Sequence, residues 1–222
     1  MIKLLNELRS SAAWVLTIIG PGGSGKTSTA WWIIENWFPD DEIAVYKYSA
    51  KAIGALPEHI RKRTVRFSSV REILDRRCVI FLDDTLIHFL SRSTSSPESK
   101  DFIQNMGIGR HNDFRYILTT QNSILVDKGL FEALDVFSLR CRMGHMQTMT
   151  EREEHRDAQI AINDLLEQAA DDHGYTRYQR KGLRYCMETE ETLYFPDCTW
   201  MNDQISKPFR GHYVAAGQLI EG

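Results

Sequence analysis

Eight residues near the start of the chain, GPGGSGKT from Gly20 to Thr27, match the spacing G-x-x-x-x-G-K-[ST] at every fixed position. Glycines at these positions let a backbone turn its amide hydrogens inward around an anion, and a helix opening directly after the loop adds its unpaired N-terminal donors. Lys26 would bring a positive charge to the β- and γ-phosphates of a nucleotide, and the Thr27 hydroxyl is spaced to ligate magnesium. Gly20, Pro21, Gly22, Gly23, Ser24, Gly25, Lys26, Thr27 and Thr29 are therefore the candidates for holding ATP with Mg2+.

Two further runs carry chemistry at their ends. CVIFLDD, Cys78 to Asp84, reads as a buried strand finishing in two carboxylates. Asp83 would hold magnesium at the carboxyl end of that strand, where open α/β sheets bind ligands. Asp84 stands where a carboxylate could polarise an attacking water, although an aspartate after a strand also serves to cap a helix. YILTTQ, Tyr116 to Gln121, is a strand with an amide just past its end. Gln121 can both donate and accept, so it could orient water or sense the γ-phosphate, or simply begin a turn at QNS.

These residues need strands and helices to hold them. Strands are predicted at Trp14 to Ile19, Ile43 to Tyr48, Val65 to Phe67, Cys78 to Leu82, Tyr116 to Thr119 and Val136 to Leu139, with a helix from about Thr27 to Phe38 closed by Pro39. Strands alternating with helical stretches imply an α/β fold with a mostly parallel central sheet flanked by helices. Trp31, Trp32, Trp37 and Phe38 read as core rather than as a base-stacking surface, because their helix must bury a face on the sheet. Ser91 to Ser99 reads as a surface loop. From about Thr150 to Ala170 a helix is expected whose apolar face carries Ile160, Ile162, Leu165, Leu166 and Ala169. Beyond Gly174 a hairpin or irregular tail is expected, with Cys186 to Tyr194 as a strand. The expected layout is a single domain over residues 1–222, its core at about 12–145 and a small C-terminal helix and hairpin appendage over 146–222.

With 222 residues and a net charge of -3, the chain has no global attraction for nucleic acid, so any such contact must be local. Arg61, Lys62, Arg63 and Arg66, and the loop carrying Arg92 and Lys100, are the basic candidates. Cys78, Cys141, Cys186 and Cys198 form no CxxC pair, which favours free thiols in a reducing compartment over a structural metal. The N-terminal run reads as a short helix entering a core strand rather than an export signal, and no segment is long and apolar enough to cross a bilayer.

Taken together, GPGGSGKT, VIFLDD, the block GIGRHNDFRYILTTQ from Gly107 to Gln121 and DVFSLR from Asp135 to Arg140 resemble the FtsK/HerA superfamily of DNA-pumping ATPases. Within it the chain is most similar to the viral genome-packaging branch that includes the poxvirus-type packaging ATPase, where paired aspartates like Asp83 and Asp84 are common. The resemblance covers roughly Trp14 to Arg140. It implies a RecA-like P-loop core with ATP between subunits of a homo-oligomeric ring, commonly a hexamer, that pulls double-stranded DNA into a preformed capsid. The partners would be the DNA, further copies of the chain and a capsid or vertex protein, in the host cytoplasm or on the virion. It also implies an arginine supplied by a neighbouring subunit, for which Arg110, Arg140 and Arg142 are the candidates. A small-molecule kinase, a nucleotide-switched module with little turnover, and an assembly or secretion factor related to zonula occludens toxin are the alternatives that share the P-loop.

Overall fold

The computed structural model of the chain describes residues 2–73, 75–84, 113–121, 135–151 and 153–208, together with short strands at Val214–Ala215 and Gln218–Leu219. Residues 85–90, the Ser-rich run, Arg92, Lys100 and the block Gly109 to His111 lie outside the described residues.

One sheet organises the chain. Its strands are β1 (Trp14–Ile19), β2 (Glu42–Tyr46), β3 (Thr64–Phe67), β4 (Cys78–Leu82), β5 (Arg115–Thr120), β6 (Asp135–Arg140), β7 (Leu183–Cys186) and β8 (Glu191–Tyr194), in the spatial order β3-β2-β4-β5-β1-β6-β7-β8. The first six are parallel, and β7 and β8 add antiparallel edges. Side chains are buried on both faces. Trp14, Leu16 and Ile18 of β1 and Val79 and Phe81 of β4 join one apolar cluster, while Val15, Cys78, Ile80 and Leu82 join another. Burial on both sides is why these strands read as continuous apolar runs rather than as alternating ones.

Helix α1 (Lys3–Ser10) precedes β1, and its first two amide groups donate to the Glu191 carboxylate at 2.8 and 2.9 Å, tying the chain start to β8. Helix α2 (Lys26–Trp37) lies against the first cluster, with Trp31, Ile33, Ile34 and Trp37 buried. Trp31 meets Phe81 edge-on at 5.3 Å and Trp200 at 5.9 Å. Burying an aromatic of this size contributes roughly 4–6 kcal/mol as an upper bound, so the tryptophans of α2 serve the core as expected. At the end of α2, Arg63 donates to the carbonyls of Ile34, Phe38 and Asp41 at 3.3, 2.8 and 2.7 Å. That contact places a cation at a helix C-terminus and removes Arg63 from the DNA candidates. Arg61, Lys62 and Arg66 are exposed. The short helices α3 (Ala50–Gly54) and α4 (Glu58–Arg61) lie between β2 and β3 in the chain.

The C-terminal half departs from expectation in two places. After the short α5 (His145–Thr148), α6 (Glu153–Asp172) buries Gln159, Ile162, Leu166 and Ala170, a stripe stepping by three, four and four residues. Ile160 and Leu165, expected on that face, are 51% and 46% exposed because they fall off the stripe. The single strand expected from Cys186 to Tyr194 is a hairpin, with Glu190 turning at φ 55°. Its strand β7 pairs with β6 through Leu139 with Cys186 and Arg140 with Tyr185, so the hairpin is part of the main sheet rather than an appendage beside it. Helix α7 (Asp203–Ser206) follows, with Asn202 as its cap. The four cysteines are buried free thiols, and among the described residues no helix is long and apolar enough to cross a membrane.

Candidate nucleotide site

Parallel registry brings the ends of four strands to one edge of the sheet. Ile19 stands beside Thr120 and Arg140, and Leu82 beside Leu118, so Gly20, Asp83, Gln121 and Cys141 all emerge together. The loop after β1 begins in tight contact. A Cβ on Gly20 would lie 2.4 Å from Cβ of Cys141, so only glycine lets the loop start so close to the end of β6. The loop turns through Gly23 and Gly25 at φ 73° and 81°, and Gly25 opens α2 in the left-handed region that favours glycine. Lys26 Nζ lies folded back on the loop, donating to the Pro21 carbonyl at 2.8 Å. Burial lowers its pKa, against the pull of Asp84 and Asp83.

Asp83 is 3% exposed and accepts three hydroxyl hydrogen bonds: from Thr119 at 2.7 Å, Thr27 at 2.9 Å and Tyr48 at 3.2 Å. Burial nevertheless pushes its carboxyl up to about 6, the hydroxyl donors pulling the other way. Asp84 has a positive φ of 46°, and its N–H donates to Thr119 Oγ1 at 2.7 Å, which anchors its backbone at the end of β4. Its carboxyl is also raised by burial, and Oδ1 is buried without a hydrogen-bond partner. A hydroxyl beside a buried carboxylate, with an unsatisfied carboxylate oxygen next to it, is a donor set that fits a hydrated magnesium ion. Thr27 and Asp83 would be the residues to hold it.

A cavity of about 410 Å³ opens over these groups, lined by Lys26, Thr27, Asp83, Asp84, Thr119 and Gln121 and closed on another side by Ser206, Lys207 and Pro208. A second, of about 320 Å³, lies across the loop against Ser24, Cys141, Arg142 and Arg184. Gly22 and Gly23 line both, so an elongated anionic ligand draped over the loop could reach from one to the other.

Most of the described residues singled out from sequence meet here, but Thr29 and Arg140 do not. Thr29 is buried, lines neither cavity, and its hydroxyl accepts from Arg184 at 2.9 Å. Arg140 is 2% exposed and pairs with the equally buried Glu151 at 2.8 Å, so its guanidinium is not presented to a neighbouring subunit. That removes it as a candidate: a charge this deep is held where its partner is, inside the chain. Arg110 lies outside the described residues, while Arg142 is largely exposed and paired with Glu167. Sequence reasoning missed Tyr48, Thr119, Lys207 and Arg184. Thr119 alone carried a signal, as the hydroxyl two residues before Gln121 on a strand ending at the site.

The family model described as "ATPase family associated with various cellular activities (AAA)" matches residues 16–140, more than half of the chain. A comparison with curated proteins found no match. Among solved structures the chain is similar to the genome packaging NTPase B204 from Sulfolobus turreted icosahedral virus 2 in complex with AMP, at 13% identity and a TM-score of 0.46, covering 85% of this chain and 99% of that one. It is similar to the N-terminal domain of zonular occludens toxin from Neisseria meningitidis, at 13% identity and a TM-score of 0.46, covering 89% and 97%. EssC (ATPases 2 and 3) from Geobacillus thermodenitrificans matches at 11% identity and a TM-score of 0.48, covering 87% of this chain and 42% of that one. With its phosphate loop, acidic strand and eight-stranded, mostly parallel sheet, the chain belongs to the ATPase family associated with various cellular activities and is a P-loop ATPase with a RecA-like fold.

Proposed function

We propose that the chain is the ATP-hydrolysing motor of a ring that translocates double-stranded DNA, packaging a viral genome into a preformed capsid. The observation that carries the enzymatic part is the convergence of Lys26, Thr27, Asp83, Asp84 and Gln121 around one open cavity. The motor part rests on the resemblance of the motifs spread over Trp14 to Arg140 to the packaging branch of the FtsK/HerA superfamily.

In this reading Lys26 leaves the Pro21 carbonyl and reaches the β- and γ-phosphates, a short swing for a side chain already at the cavity wall. Thr27 and Asp83 would hold magnesium, which would supply positive charge to the phosphate oxygens. Asp84, its backbone anchored by the N–H bond to Thr119, takes the proton of the attacking water, and Gln121 orients that water from the end of β5. An arginine from the neighbouring subunit, Arg110 or Arg142, stabilises charge on the transferring group. Among the described residues, Arg61, Lys62 and Arg66 are the exposed members of the basic candidates for phosphate contacts in the pore, alongside Arg92 and Lys100, which lie outside them.

The test is ATP turnover by the purified protein with duplex DNA, single-stranded DNA or no DNA, alongside its assembly state. Stimulation by duplex DNA with ring formation is expected. ATP binding with no stimulation and no ring supports a nucleotide-switched module instead, and transfer of phosphate to a small acceptor supports a kinase. Lys26→Ala that still hydrolyses ATP at the wild-type rate would overturn the site itself.

A further inference from the structure

The hairpin that closes the sheet carries a cation into the back of the phosphate loop. Arg184 of β7 is 1% exposed, and its guanidinium lies beneath the turn into α2. One terminal nitrogen donates to the Ser24 carbonyl at 2.8 Å and to Thr29 Oγ1 at 2.9 Å. The other donates to the carbonyls of Lys181 and Leu183 at 2.5 and 2.7 Å. The fit is close: a Cβ on Gly25 would stand 3.3 Å from the guanidinium.

Every one of these acceptors is neutral. Among the described residues no carboxylate pairs with Arg184, and its Nε is buried without any hydrogen-bond partner. A buried cation usually comes with a buried anion, as Arg140 does with Glu151, because losing hydration costs more than neutral acceptors return. Among the described residues Arg184 has no such ion pair, although the Asp197 carboxylate also lies near Gly25, and it sits behind a loop whose other side is shaped for a polyanion.

We propose that Arg184 is a positioning residue for the nucleotide, bracing the loop through Ser24 and Thr29 while its buried charge attracts the phosphates through the loop backbone. This deepens the nucleotide-site reading and rests on it. It also gives a task to the hairpin: β7 extends β6 so that one side chain can lock the loop in the conformation that receives phosphate. The charge acts on any phosphate in the cradle, before and during the reaction alike. Its loss should therefore weaken binding without changing the chemical step at saturation.

Binding of ATP and ADP, and steady-state turnover, are to be measured for wild type, Arg184→Met, Arg184→Lys and Lys26→Ala, with thermal unfolding of each nucleotide-free protein. For Arg184→Met the expectation is a roughly 10- to 100-fold weaker affinity for both nucleotides, a matching rise in KM, and kcat within about two-fold. Arg184→Lys, which keeps the charge without the fork, should stay within about ten-fold of wild-type affinity. Arg184→Met with unchanged affinity overturns the inference. So does a fall in kcat with no change in KM, or an Arg184→Lys protein that folds yet binds as weakly as Arg184→Met. If Arg184→Met does not fold, Arg184→Lys decides: affinity within about ten-fold of wild type supports the charge, and a loss of more than about ten-fold refutes it. A wild type that binds no nucleotide would instead overturn the nucleotide site as a whole, a different result from wild-type binding that Arg184 leaves untouched.

Discussion

Replacing Asp83 by asparagine should stabilise the nucleotide-free protein at alkaline pH while abolishing turnover. Burial lifts the Asp83 carboxyl from its ordinary 3.8 to about 6. A folded-state pKa above the unfolded one means that the native state holds the proton more tightly. The resulting stability is therefore complete below about pH 4 and is lost as pH rises through about 6. The gap between 3.8 and about 6, at about 1.4 kcal/mol per pH unit, amounts to about 3 kcal/mol lost by pH 8. Asparagine carries no charge and escapes that loss. Its carbonyl oxygen can still accept from two of the three surrounding hydroxyls, and its amide group facing the third costs about 1 kcal/mol. The net gain is about 2 kcal/mol at pH 8, or roughly 4–8 °C in melting temperature for a chain of this size, turning to a loss of about 1 kcal/mol at pH 4. Urea and thermal unfolding of both proteins at the two pH values measure this directly. Asp83→Asn that is less stable than wild type at pH 8, or that shifts stability equally at both, would refute the argument that this carboxylate is held at a cost for function.

Asp84→Asn should bind ATP with near wild-type affinity and lose roughly 100- to 10,000-fold in kcat, seen by comparing equilibrium binding with turnover, since it removes a proton acceptor and leaves the cradle intact. Gly20→Ala should lose about 1–3 kcal/mol of stability because its Cβ would meet Cys141 Cβ at 2.4 Å, and Cys141→Gly in the same protein should restore most of it in thermal unfolding. Arg140→Met should cost about 3–5 kcal/mol by taking the cation away from the buried Glu151 carboxylate, whereas Arg140→Met with Glu151→Leu should cost much less. ATP turnover retained by that double variant is the expected result, and its loss in a folded, assembled protein would return Arg140 to the list of catalytic arginines.

Local motifs were legible because their chemistry is local. A glycine-rich turn between an apolar strand and a helix makes a phosphate cradle out of its own backbone, and an apolar run ending in two aspartates places carboxylates at a strand end wherever that strand lies. The ends of the strands moved by no more than two residues. The hairpin was harder to read. Glu191 to Tyr194 alternates between half-buried and exposed as an edge strand, so it carries no apolar run to separate it from the turn before it. The face of α6 was misjudged for a similar reason, since five apolar residues spread around a helix leave the packed stripe undetermined until its neighbour β7 selects Ile162, Leu166 and Ala170.

The phosphate loop from Gly20 to Thr27, the carboxylates Asp83 and Asp84 and the amide of Gln121 could be named from the sequence alone, because each is specified by residues adjacent to it. Their meeting was decided by the order of the sheet. Strand β5, which follows β4 in the chain, inserts between β4 and β1 and carries Thr119 and Gln121 into the space between loop and carboxylates. The fate of each arginine was likewise tertiary. Arg140 and Arg184 lie on neighbouring antiparallel strands, both fully buried, yet one faces Glu151 and the other the back of the loop. A guanidinium reaches several ångströms from its backbone, so its role is set by what the fold has placed at that distance.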